Sequence, residues 1–246
     1  MLALVKTYRK LQHWDHWLET TSGRDVLQAE LAYLPQCIKQ MYGKHALLIG
    51  TPQQYDLLKC SAILDQILLS PLLNHTHLEI RGIQSELHEL PVASGSVDLV
   101  ILPHTLEFLD HPRHLMAEAC RIVKPEGHII IFGFNPLSYW GLQKVLRRNK
   151  FMPWSGHFVS PKTVKNWLGL ADFKLVKQTQ LFFRPFRFWE SLLRRFSFPF
   201  GNVYMVMAQA KVVPLTPIKM RWKQKIYGLS LPSISIPKPT ARNQQL

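Results

Sequence analysis

Cysteine is scarce in this chain and never grouped. The three residues, Cys37, Cys60 and Cys120, are widely spaced with no CxxC pair. That excludes a disulfide-stapled fold and a thiol-rich metal centre. Cys120 falls on the apolar side of a helical pattern and reads as a small core residue. No apolar run approaches the ~20 residues needed to span a bilayer. The opening MLALVKTYRK has no apolar signal segment, so a cytoplasmic chain starting near Met1 is expected. A G-x-S-x-G elbow and a P-loop are both missing. The histidine pairs 75/77 and 111/114 lack cysteine or paired acidic neighbours, so no metal site is expected. Acidic residues almost vanish from the second half. Up to Gln143 there are 11 basic and 14 acidic residues, and beyond it 19 basic and 2 acidic. The net charge of +14 therefore resides after Gln143. Such asymmetry suits an anionic partner, RNA or a membrane surface, and equally a solvated basic face with a basic tail.

What is present is an α/β pattern. Val97 to Leu102 and His128 to Phe134 are short runs rich in Val and Ile, as in parallel strands buried on both faces. Between them Leu115, Ala119 and Ile122, widened by Met116, Cys120 and Val123, recur at helical spacing. Asp110 is positioned as the N-cap, Pro112 suits the first turn, and Gly127 supplies the following turn. Strand, crossover helix and strand make a right-handed βαβ unit. A ligand of such a sheet lies beyond the carboxyl ends of the strands. Pro103, His104, Asn135 and Pro136 therefore belong to the functional rim.

Elsewhere, Tyr8 to Thr20 and Arg24 to Tyr42 read as helices. The second has Thr21 or Ser22 as cap, and Pro35 would kink or interrupt it. His45 to Gly50, Ile63 to Leu69 and Leu78 to Ile83 are strand candidates. After Pro136 come a short basic helix, Leu142 to Arg148, and a helix from Pro161 to Gly169 capped by Ser160. Phe173 to Phe182 and Val203 to Val212 read as strands flanking an aromatic, basic insertion at about 183–201. That insertion could be an interfacial helix, a nucleic-acid stacking surface, a lid, or a helix packing its aromatics on the sheet. Three regions are expected: N-terminal helices over 1–44, a core domain over 45–213, and a flexible, basic, proline-containing tail over 214–246.

HELPVASGSVDLVILPHTLEFL followed by RIVKPEGHIIIFGFNP resembles the second half of a class I S-adenosylmethionine-dependent methyltransferase (type 11-like). The likeness extends over about His45 to Val212 and includes a bacterial subgroup with MYGKH, GFNPLSYWGL and VVPLTPIKM-like segments. It implies a Rossmann-like seven-stranded sheet, mostly parallel with the last strand antiparallel, flanked by helices. It implies S-adenosylmethionine as cofactor and methyl transfer to an acceptor, small or macromolecular, that the sequence does not identify. By position, Glu86 falls where a carboxylate accepts from the adenine amino group, with Leu87 against the ring. Gly50 and Thr51 stand in the cofactor loop, and Pro103 and His104 beside the methyl group. Asp65 is the candidate acid for the ribose, though its place in SAILDQILL fits mid-strand as well. His104 is a candidate base, or else a packing residue. Asp98 reads as structural, tying a loop to the sheet. The resemblance thins at LLIGTPQQYD, where Pro52 and Gln54 replace two glycines and Leu48 replaces an acid. That erosion supports a second reading: an inactive methyltransferase-like module that binds RNA, membrane or a protein partner through its basic half.

Overall fold

The computed structural model describes residues 2–39, 41–74, 79–138, 156–181 and 202–212. The expected basic helix Leu142–Arg148, the insertion at about 183–201 and the tail at 214–246 fall outside these residues.

Three helices precede the sheet: α1 (Leu2–Leu18), α2 (Thr21–Tyr33) and the single turn α3 (Pro35–Ile38). In α1, Leu11, Trp14 and Leu18 recur at helical spacing and are all buried, so one stripe faces inward. The cap of α2 is Thr20, whose hydroxyl accepts from Gly23 N at 3.3 Å. Pro35 lacks the amide that would continue α2 and instead opens α3. The long helix expected over Arg24 to Tyr42 is thus two.

The strands are β1 (His45–Ile49), β2 (Asp65–Ser70), β3 (Gly82–Gln84), β4 (Val97–Pro103), β5 (Val123–Phe134), β6 (Phe173–Leu181) and β7 (Val203–Ala210). They form one sheet in the order β3-β2-β1-β4-β5-β7-β6, with β7 antiparallel to both β5 and β6. The remaining helices are α4 (Asp56–Lys59), α5 (Pro112–Ile122) and α6 (Pro161–Leu170). The sheet is seven-stranded and mostly parallel, as the resemblance implied, and helices flank it. Central strands β1 and β4 and the second half of β5, Ile129–Phe134, are almost wholly buried, which is why their sequences are mainly apolar runs. Residues 1–212 make one compact unit. Among the described residues no helix is long and apolar enough to cross a membrane.

Two local expectations change. Asp110 does not cap α5; His111 holds that position without a side-chain bond, and Asp110 instead accepts from Lys10 Nζ of α1 at 2.9 Å. That lysine's hydrogen bond holds the Asp110 carboxyl below its usual range. The turn expected at Gly127 falls within the first half of β5, where the positive φ belongs to Glu126, at 66°, while Gly127 is needed for space, since a Cβ there would meet Lys124 O at 2.9 Å. Asp98 does tie a loop to the sheet. Its Oδ2 accepts from Lys44 N at 2.9 Å, His45 N at 3.0 Å and Lys124 Nζ at 2.8 Å.

Candidate functional site

Because β1 and β4 are neighbours whose crossovers leave in opposite directions, a crevice opens beyond their carboxyl ends. Gly50 and Thr51 leave β1 there, and Pro103 and His104 end β4 beside them. The Thr105 hydroxyl ties the two strand ends, donating to Ile49 O at 2.6 Å. Side chains fill the crevice. Gln54, in a short 3-10 turn over Pro52–Gln54, folds its carboxamide back across it. The carboxamide donates from Nε2 to Pro103 O at 3.1 Å and accepts from Thr51 N, also at 3.1 Å. Gly50 makes room for this, since a Cβ there would lie 2.7 Å from Gln54 Oε1. Both Thr51 and Gln54 are fully buried.

His104 sits deeper still. Its backbone is left-handed, φ 58°, an uncommon conformation for a residue with a side chain, and its amide donates to Phe132 O at 3.0 Å. The ring lies 2.7 Å from Glu30 Oε1 of α2 through Nε2, and 3.3 Å from Glu107 Oε2 through Nδ1. Glu107 also accepts from Phe134 N through Oε1. Trp14 of α1 packs on His104 with ring centres 5.1 Å apart, and Phe134 packs at 4.2 Å. All three charged side chains are 0–1% exposed. Burial alone would push the imidazole pKa down, but Glu30 and Glu107 together raise it to about 9. The buried imidazole thus lies between two acidic side chains that favour its protonated form, sealed under α1 and α2.

On the other side the rim is open. A cleft of about 280 Å3 is lined by Pro71 after β2, by Glu86, Leu87 and His88 after β3, by Leu109, and by Val5, Thr7 and Tyr8 of α1. The Glu86 side chain is exposed while Leu87 is buried.

The sequence-selected residues therefore divide into three groups. Glu86 and Leu87 share the open cleft. Gly50, Thr51, Pro103 and His104 converge at the crevice but lie under Gln54 and Trp14. Asp65 stands apart. It begins β2, paired with His45 at the start of β1, so it lies at the amino end of the sheet, the edge opposite the rim. Its carboxylate takes Arg81 at 2.7 Å and His45 at 3.2 Å, and the residue β2 presents at the rim is Ser70. Sequence reasoning missed Glu30, Glu107, Trp14 and Asp15. Glu30 did leave a signal: it falls at helical spacing between Val26 and Leu34, an acid on a buried stripe that demands a partner. The fit to the implied cofactor is divided. The cleft beside Glu86 is open, whereas the crevice at Gly50 is occupied by the Gln54 carboxamide.

With this strand order and rim, the chain has the class I S-adenosylmethionine-dependent methyltransferase fold, and residues 67–131 match the family described as a methyltransferase domain. An uncharacterised Escherichia coli protein, YafS, is 28% identical over 206 residues, 82% of this chain and 83% of that one. A crystal structure from Thermotoga maritima, described as an S-adenosylmethionine-dependent methyltransferase and possible histamine N-methyltransferase, is similar with a TM-score of 0.64. It is 19% identical and covers 85% of this chain and 100% of that one. The 4+2 cyclase SpnF is also similar in fold, with a TM-score of 0.54, 12% identity, and 78% and 82% of the two chains covered. A fold shared with a cyclase does not by itself fix the reaction.

Proposed function

We propose that this protein is an S-adenosylmethionine-dependent methyltransferase whose cofactor enters by its adenosine end, at the cleft between α1 and Glu86–His88. The observation that carries the reading is the cleft itself. It opens at the carboxyl ends of β2 and β3, on a sheet of methyltransferase order, with a carboxylate free to accept from an adenine amino group and an apolar residue beside it. Glu86 would accept from the exocyclic amine, and Leu87 would lie against the ring. When bound, the cofactor supplies a sulfonium methyl group to a nucleophile of the acceptor. The chain's own contribution is position: catalysis of this kind rests on orientation rather than on covalent chemistry by the protein.

Isothermal titration of the full chain with S-adenosylmethionine and S-adenosylhomocysteine tests the reading. Binding is expected, and Glu86→Ala is expected to weaken it by about tenfold, the effect of losing one hydrogen bond to a charged group. No binding at millimolar ligand would sink the proposal. A Glu86→Ala protein that binds as tightly as wild type would remove the adenine assignment alone.

A second reading, a methyltransferase-fold module without turnover, is favoured by the sealed crevice, where Gln54 and Trp14 lie over the end of β4. Such a module would use the basic second half to hold RNA, an anionic membrane surface or a protein partner. Salt-sensitive binding to RNA or anionic liposomes, with no methyl incorporation from labelled cofactor, would support it.

A further inference from the structure

Every backbone amide of the loop after Gly50 is either missing or already taken by the chain itself. Thr51 N donates to the Gln54 side-chain oxygen at 3.1 Å, Gln53 N donates to Asp15 Oδ1 of α1 at 3.1 Å, and Gln54 N donates to Thr51 O at 3.0 Å. Pro52 has no amide to give. In a loop that leaves a strand at the crevice, these are the donors that hold an anionic group of a ligand. Here they hold a carboxamide, a carboxylate and a backbone carbonyl of the protein. The occupation is not loose at the centre: Gln54 is fully buried and bridges to Pro103 O at 3.1 Å. Just past the end of α1 there is a second tie to the same loop, Glu19 Oε1 accepting from Gln53 Nε2 at 3.1 Å. The cleft beside Glu86, by contrast, is open.

We infer that this pocket is a nucleoside site whose amino-acid subsite is filled from within, by Gln54 and Asp15. Ligands are then selected by their adenosine half, and an α-amino-acid chain attached to it adds little. The inference rests on the reading that adenosine occupies the Glu86 cleft. For an amino-acid chain to gain contacts, Gln54 must turn away from Thr51 and Pro103, and Asp15 must leave Gln53. Gln54 and Asp15 are thus specificity-determining residues for the same site.

Two ligands separate the halves. 5′-Methylthioadenosine and S-adenosylhomocysteine share adenosine and a thioether, and only the second carries an amino acid. Titrated calorimetrically into the full wild-type chain, they are expected to bind with Kd values within about fivefold of each other. In Gln54→Gly, and in Asp15→Ala, S-adenosylhomocysteine should gain about tenfold relative to methylthioadenosine, because loop amides become available. A wild-type preference for S-adenosylhomocysteine above about fivefold overturns the inference while leaving the adenosine reading intact. So does an unchanged ratio in both variants when circular dichroism shows them folded. Failure of the wild type to bind either ligand overturns the inference together with the reading beneath it.

Discussion

Raising the pH should loosen this protein through a single buried group. His104 is fully buried, 2.7 Å from Glu30 and 3.3 Å from Glu107, and its pKa stands at about 9 against an ordinary 6.5. Because the folded value lies above the unfolded one, the stabilisation is fully present below pH 6.5. It is lost as pH rises through about 9. At 1.36 kcal/mol per pH unit the full effect is about 3 kcal/mol, a large share of the stability of a domain. Urea denaturation at intervals from pH 6.5 to 9 measures it. The Cys120 thiol, pushed by burial from 9.0 to about 12, ionises on unfolding toward the top of this window, and it does so equally in wild type and in a Glu30→Gln variant, so the difference between the two isolates His104. Glu30→Gln keeps the shape but removes the charge that does most to hold the proton. At pH 6.5 that variant should be less stable than wild type by about 3 kcal/mol, with the gap closing toward pH 9. A wild-type stability that stays level across the window would refute the assignment, as would a Glu30→Gln protein that falls as steeply as wild type.

Other substitutions follow the packing. Trp14→Ala empties a fully buried position against Trp17, His104, Phe108 and Phe134 and should cost about 3–5 kcal/mol in urea denaturation; a loss under about 1 kcal/mol would mean α1 is not seated on the rim. Gly50→Ala brings a Cβ to 2.7 Å from Gln54 Oε1; a destabilisation of about 1–3 kcal/mol is expected, and an unchanged Tm would show that the carboxamide is not held there. Asp98→Ala strips the acceptor from the amides of Lys44 and His45 and should cost about 1–3 kcal/mol, with faster amide exchange at the start of β1 as the local readout.

Much of the sheet could be read from local pattern because its central strands are buried on both faces. Leu99–Leu102 and Ile129–Phe134 had to be apolar throughout, and the helix between them had to carry one apolar stripe. What local pattern could not supply was registry. SAILDQILLS is apolar on both sides of Asp65, so whether that acid lies mid-strand, at the rim or at the far edge depends on its pairing with His45, set by a different strand. Asp110 shows the same limit. A residue of capping type before a helix will cap it unless something draws the side chain elsewhere, and here Lys10, 100 residues away in sequence, does so. Glu30 announced a buried charge, but its partner lies 74 residues on. Gln54 left no periodic signal, since its role is a hydrogen bond across the crevice rather than a place in a stripe.

Two of these long-range ties, Lys10 to Asp110 and Glu30 to His104, involve the N-terminal helices, and that bears on how the site is built. An apolar cluster in place of Glu30, His104 and Glu107 could seat α2 at less desolvation cost. The ionic one adds direction, because the carboxylate must meet Nε2 for the buried charges to be compensated, and that restricts how α2 can dock. Fixing α2 helps to fix α1, which packs against it. Helix α1 then acts at both ends of the pocket. Val5, Thr7 and Tyr8 line the open cleft, and two turns or so later Asp15 takes an amide of the loop after Gly50. On the proposed reading, one helix therefore helps to shape the space for adenosine and to close the space for an amino acid. A change that shifts α1 along its axis would alter both together, whereas a change confined to Gln54 would alter only the second. The N-terminal helix is a wall of the cleft beside Glu86, and Asp15 ties that wall to the glycine-poor loop.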